Sequence, residues 1–395
     1  MTIIKRSMIC SSVVSLALIL CQHTEAQEYY YWQSSASNGN WNQVGHWVIS
    51  PGGVTTEIPG HGTYLAFNNN TQLSMTNDLA ATVRFRINFL NGSGARIING
   101  TTANTFVQVN GATPQIDNNT GYTQTINFKI INNNVMGSRL VLDADSTANG
   151  LVGSDLVFGG DVSAMGGSGL VTAVAGSGNV TINGRVMEEE GAIHSLTREG
   201  PGTLLLTGTA ANTYSGTTTV VGGTLALGKT NNVTAVSGIR LIVKKSGRVV
   251  RWDANNQVAD TTLVTLNGGK LALSNGDQEG TATKPGVGEL TVQSNSVIDL
   301  SGSGNILHFA ASNLESWSGT LAIWNWDGTP LVGGGLEQLS FGTGTSGLTQ
   351  AQLNAISFYS DSGSTFLGTA MFASVNGFNG EIVAVPDPAT WIGAF

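Results

Sequence analysis

Cysteine is almost missing from this chain of 395 residues. Cys10 and Cys21 are the only two, and both fall within the first 26 positions. The remainder therefore holds no disulfide and offers no thiol nucleophile or thiolate ligand. Charge is scarce too: charged residues make up 11% of the sequence, where globular domains are nearer ~25%. The net charge is −8 and no basic cluster occurs, which excludes nucleic acid and anionic membrane as main partners. Five histidines (His23, His46, His61, His194, His308) lack zinc-ligand spacing, and no G-x-S-x-G elbow precedes a helical pattern. Zinc chemistry and serine hydrolysis are thereby disfavoured, and no cofactor is called for.

The one long apolar run, Met8 to Leu20, follows Lys5 and Arg6 and leads to Thr24-Glu25-Ala26. A basic start, an apolar stretch and a small-residue exit read as a secretory signal peptide, 1–26, cut after Ala26. Removing it takes both cysteines and makes the net charge one unit more negative. A lipoprotein signal at Cys21 is disfavoured by the bulky Leu20 before it. No other stretch predicts a stable transmembrane segment in the mature chain.

What is abundant is glycine, with 53 residues, alongside Asn, Thr and Ser; the 41% hydrophobic content is too high for a disordered chain. Residues 200–230, GPGTLLLTGTAANTYSGTTTVVGGTLALGKT, show how these are arranged. Leu204 and Leu206 alternate with Thr203, Leu205 and Thr207; Thr218 and Val220 follow a corner at Asn212, Ser215 and Gly216; Leu225 and Leu227 follow Gly222-Gly223. Period-two alternation over such short runs predicts strands with one buried face. Single corners without two-residue hairpin turns predict a chain that coils in one direction.

The pattern recurs. Val180 and Ile182 stand 24 residues before Leu204 and Leu206, and Leu156 and Phe158 stand 24 before those. Gly268 to Leu273 echoes Gly222 to Leu227 at a distance of 46, close to two such steps. Fixed-period self-similarity is the mark of a solenoid, whose units bury their apolar edges only by stacking. The expectation is an all-β chain, a parallel β-helix of about 23–24 residues per rung, with Leu156, Val180 and Leu204 forming a column inside the tube.

Residues 200–227, including Asn212-Thr213-Tyr214-Ser215-Gly216, also closely resemble the autotransporter-associated β-strand repeat of bacterial surface proteins, of the form GxGTLxLxG…NTYSGxTTVxxGTLxL. The resemblance covers one well-formed copy. It implies a right-handed β-helix in an exported protein and names no reaction.

The remaining chain divides around this solenoid. Residues 27–67, with Trp32, Trp41 and Trp47, predict an N-terminal cap; the alternative role for these tryptophans is sugar stacking. Residues 68–330 carry short strands such as Arg139-Leu140-Val141-Leu142, separated by Asn-Gly and Gly-Ser-Gly corners that supply positive φ. Residues 331–384 predict a small α+β cap, its helix opened by a Thr349/Gln352 capping box and a Leu348/Leu353 staple. At 385–395, Val385-Pro386-Asp387-Pro388-Ala389-Thr390-Trp391 resembles a PEP-CTERM sorting motif, with Asp387 for the usual Glu. In that family an apolar helix and basic tail follow and an exosortase-type enzyme acts on the motif, so the motif is read as truncated at Phe395.

Candidate chemistry is sparse. Gly223 to Thr230 satisfies the G-x-x-x-x-G-K-T phosphate-loop pattern, but its variable positions read as a strand of the repeat and no amphipathic helix follows. β-Helix enzymes on polysaccharides need clustered carboxylates. Asp143 and Asp145, two apart on one strand, are the best-placed catalytic candidates, ahead of Asp155 with Asp161 and of Glu188-Glu189-Glu190 near His194. The structural alternative makes these solvated corners and turn caps. No residues are predicted to bind metal.

Together these features predict an exported, non-enzymatic β-helix protein of the cell surface, outer membrane or exopolysaccharide matrix of a Gram-negative-type bacterium, structural and adhesive in role. Its expected partners are extracellular polysaccharide or like surface proteins, with the export machinery and an exosortase-type enzyme in processing. The alternative is a polysaccharide lyase or glycoside hydrolase using Asp143 and Asp145. A third reading, an autotransporter passenger fragment, would need a membrane barrel, and no such pattern occurs after residue 384.

Overall fold

A computed structural model describes residues 29–33, 35–36, 38–50, 53–54, 57–60, 63–80, 85–100, 104–106, 115–133, 139–145, 153–244, 249–280, 286–302, 304–373 and 380–386. The expected signal peptide and the sorting-motif residues Asp387 and Pro388 lie outside these; Pro386 is the last residue described.

The chain is nearly all β and forms a parallel β-solenoid. Among the described residues, one sheet has 13 strands and a second has 14, each growing by one strand per turn. A third sheet of four short strands (Asn104–Phe106, Ile130–Asn132, Val162–Met165 and Val186–Glu189) adds a face to the earlier turns only.

The inner column is the one the period predicts. Leu156 registers with Val180, Val180 with Leu204, and Leu204 with Leu225. It continues through Val250, Leu271, Ile298 and Ile323 to Phe358, and every member is fully buried. Beside it Phe158, Ile182, Leu206, Leu227, Trp252 and Leu273 form a second column. Thr218 and Val220 face inward from the first sheet. Each buried aliphatic side chain contributes about 1.5–3 kcal/mol, so the stacked columns hold the tube together.

Corners are closed by side chains that extend the ladder past the strand ends. Asp155 Oδ1 accepts from the Asn179 amide at 2.7 Å, and Asn179 Oδ1 from Thr203 at 3.1 Å. Later turns repeat this with Asn231, Asn255 and Asp277. In the resembling repeat, Asn212 Oδ1 accepts from Val186 N at 2.8 Å while its amide donates to Ala235 O at 2.6 Å, joining three turns. The glycines mark backbone crowding: a Cβ on Gly202 would sit 2.0 Å from Gly178 O. The buried Arg198 guanidinium is satisfied by the carbonyls of Val174, Ala175, Gly176 and Gly202.

Both ends are covered by antiparallel strands. Tyr29–Trp32 joins Thr63–Phe67 in parallel and also pairs antiparallel with Trp47–Ser50, which pairs with Gly53–Val54. At the other end Ile356–Ser360 continues the second sheet in parallel, and Thr365–Phe372 and Ile382–Val385 close it antiparallel. The helix Gln350–Asn354 carries both bonds of the Thr349/Gln352 capping box, and Leu348 and Leu353 are buried. No helix among the described residues is long and apolar enough to cross a membrane.

Candidate functional site

The strand Arg139–Ala144 turns Leu140, Leu142 and Ala144 inward and leaves Asp143 on the outer face. Asp145 follows at the strand end, close enough that its charge acts on Asp143. The parallel register brings in a third carboxylate: Asp117, one turn below, is the direct partner of Asp143. The sequence reading missed Asp117 because it lies 26 residues from Asp143, off the 24-residue step. The available signal was the alternation of Gln115, Ile116, Asp117 and Asn118, which puts Gln115 and Asp117 on the outer face.

These carboxylates differ in surroundings. Arg86, from the turn below, places its guanidinium 3.6 Å from Asp117 Oδ2, donates to Gln115 and lies 5.0 Å over the Tyr64 ring. Turned so that its nitrogen faces the acceptors around it, the Asn88 amide would donate to Asp117 Oδ2 at 2.9 Å. Asp117 Oδ1 is buried without a partner. Burial pushes the Asp117 carboxyl up to about 7: Arg86 and the Gln115 bond oppose this, and the neighbouring Asp143 adds to it. Asp143 is also raised, first by burial and then by Asp145, against the pull of Arg198. The strip therefore retains a proton at a pH where ordinary carboxylates are ionised. Among the described residues, no three of the His, Cys, Asp and Glu side chains are grouped to hold a metal ion.

Of the other acidic candidates, Glu190 is exposed, and Asp155, Asp161, Glu188 and Glu189 are tied into the coil. Asp161 accepts from the Arg185 amide at 2.7 Å and pairs with its guanidinium at 2.6 Å. Burial raises the Asp161 carboxyl, but the Arg185 bonds and the charges of Arg185 and Lys129 outweigh it, and the net shift is downward. Glu188 Oε2 accepts from the amides of His194 and Ser215, both at 3.0 Å. Glu189 pairs with Lys129 and accepts from Ser163 Oγ at 2.5 Å. His194 is buried between Met187 O at 2.8 Å and Thr172 Oγ1 at 2.9 Å, and burial brings it down to about 4, so it is neutral at physiological pH. The phosphate-loop match fails by geometry as well. Thr224–Lys229 is a strand, and the buried Lys229 ammonium donates to Gly184 O and Thr207 O.

The sugar-stacking role for Trp32, Trp41 and Trp47 is overturned. All three are buried, with Trp32 and Trp41 each packed edge-on against Trp47 at centroid distances of 5.1 and 5.9 Å. Trp47 Nε1 donates to Trp41 O at 3.0 Å. Rings locked into one cluster present no face to a ligand. Partly open aromatic faces occur instead at the far end, on Trp317 and on Trp324, where Lys270 lies 5.6 Å over the ring.

Comparison with protein-family models, curated proteins and solved structures finds no match.

Proposed function

We propose that the chain is an exported β-solenoid of the cell surface or exopolysaccharide matrix, with a structural and adhesive rather than catalytic role. The observation that carries this reading is the parallel stack, which sets a patch of hydroxyls on the outer face of two adjacent turns. Ser195 and Thr197 in His194–Arg198 point outward, and Thr219 lies directly above Thr197. Thr217 faces the same way, and its amide donates to Ser195 Oγ at 3.1 Å. Parallel strands lie about 4.8 Å apart, so these four side chains give a small, flat set of donors and acceptors for sugar hydroxyls or a like surface. Export and surface location rest on the N-terminal basic-apolar segment and on the likeness of residues 200–227 to a surface-protein repeat.

The mature chain is expected to co-sediment with insoluble exopolysaccharide and to release no reducing or unsaturated ends from acidic polysaccharides, with or without calcium. A second reading, a lyase or hydrolase at the carboxylate strip, draws support from Asp117. A carboxyl that stays protonated beside ionised neighbours suits general acid–base work. Product release abolished by Asp143→Asn would establish that reading and remove the first.

A further inference from the structure

The last strand of the first sheet, Leu290–Ser294, would expose an open edge, and the segment after Ile306–Phe309 covers it. Ser318 and Gly319 amides donate to Val292 O at 2.9 and 3.2 Å, and Ser312 Oγ accepts from Leu290 N at 2.9 Å. Trp317 Nε1 donates to Leu290 O at 2.9 Å. Covering an edge in this way blocks strand addition. Gln352 anchors the short helix onto the same segment, donating to Ser312 O at 2.8 Å and Glu315 O at 2.9 Å.

Between this segment and the helix lies a cleft of about 450 Å³, lined among others by Glu315, Trp317, Thr320, Thr349, Ala351 and Ala355. That size falls within the ~300–1,000 Å³ of small-ligand sites. Trp317 is packed on one side against Phe341, at 6.3 Å between centroids, and its N–H is already used. What it offers the cleft is ring surface, held rigidly. The lining also has hydroxyls and one carboxylate, and no cationic side chain. Glu315 is itself fixed by a bond from Thr291 Oγ1. A fixed aromatic surface beside hydroxyl and carboxylate acceptors matches the apolar face and hydroxyl rim of an uncharged sugar ring. The same carboxylate disfavours uronic acids by repulsion.

We propose that this cleft is a saccharide subsite for neutral sugar units, with Trp317 as the stacking platform and Glu315 and Thr320 as acceptors for sugar hydroxyls. The proposal deepens the adhesive reading and rests on it, locating its sugar contact at the C-terminal end of the tube.

Calorimetric titration of the full chain with cellohexaose, maltohexaose and hexagalacturonate tests it. At least one neutral probe is expected to bind saturably at millimolar concentrations, with hexagalacturonate weaker. Trp317→Ala should weaken binding about tenfold, the scale of one aromatic contact. Because Trp317 also covers a sheet edge, Ala351→Trp serves as the second variant. It fills the cleft from the exposed surface of the helix, and should abolish binding with the melting temperature unchanged. Binding undiminished by Ala351→Trp, tighter binding of hexagalacturonate, or no neutral binding would each overturn the subsite. Retained co-sedimentation with insoluble polysaccharide would then leave the adhesive reading standing, and its loss would remove both.

Discussion

The middle of the tube and its two ends solve the same problem differently. From Leu156 to Leu204 each turn takes 24 residues, and the corners reuse one device, a side-chain oxygen that accepts an amide from the next turn. At the ends the described residues supply no next turn, and large aromatic side chains take its place: Trp32, Trp41, Trp47 and Phe67 below, Phe309, Phe341, Trp326 and Phe358 above. Repetition is economical where neighbours are identical. Closure needs bulk that repetition does not supply, as is general for stacked-repeat proteins.

The sharpest way to break the comparison is to damage one end. Trp47→Ala removes a buried indole from the cluster and is expected to cost about 3–5 kcal/mol. In a quasi-one-dimensional stack the loss should stay local. Hydrogen exchange should accelerate through Tyr29–Phe89 and leave residues 194–229 protected. Uniform acceleration along the whole chain would show one cooperative unit and erase the distinction between end and middle.

Leu204→Ala is the matching lesion in the middle, with an expected cost of about 2–4 kcal/mol. Here both neighbouring turns lose a partner, Val180 below and Leu225 above. Urea unfolding should show a lower midpoint and, unlike the end variant, faster exchange on both sides of the lesion.

Gly202→Ala should cost about 1–3 kcal/mol, the range for forcing atoms into a packed site. Its new methyl would meet Gly178 O at 2.0 Å, so the turns must separate at that corner. Gly191→Ala makes a useful contrast: its Cβ meets nothing within 4 Å, but the residue sits at φ 72°, so only backbone strain of about 1 kcal/mol is expected. Equal thermal shifts for the two would count against crowding as the reason for the Gly-x-Gly pattern.

These contrasts also explain what was legible in advance. The Leu156, Val180 and Leu204 column could be read because three successive turns share one corner length. The later spacings of 21, 25, 21 and 27 residues, from Leu204 to Ile298, hide the same stacking from a fixed period. The Gly268 echo at 46 survived because one long and one short turn average out. The third sheet shares the 24-residue step, from Val162 to Val186, but its strands do not alternate: Val162, Ser163 and Ala164 are all buried, whereas Val186 alone is buried in Val186–Glu189. The Thr349/Gln352 capping box was visible because its geometry is local in sequence. Tryptophans at the start were visible as residues, but which way their rings face depends on Phe67 and Phe128, which lie beyond the tryptophan stretch. Trp317 gave no signal at all, since its partner, Leu290 O, is 27 residues away.

The most specific test concerns the carboxylate strip, a stretch of the middle where an outer face behaves like an interior. Asp117 has its carboxyl raised from 3.8 to about 7 by burial, so the folded chain binds a proton there more tightly than the unfolded chain does. Stability from this group is therefore fully present below about pH 4 and is lost as pH rises through 7. Asp117→Asn keeps the shape and removes the titration. Relative to the parent, it should become steadily more stable between pH 4 and pH 8, with an advantage on the order of 4 kcal/mol at the upper end. Arg86 works against this trend, since its guanidinium loses a charged partner in the variant. A variant that instead becomes less stable than the parent as pH rises would mean that the Arg86 pair outweighs burial, and that the strip is an ordinary surface ion pair.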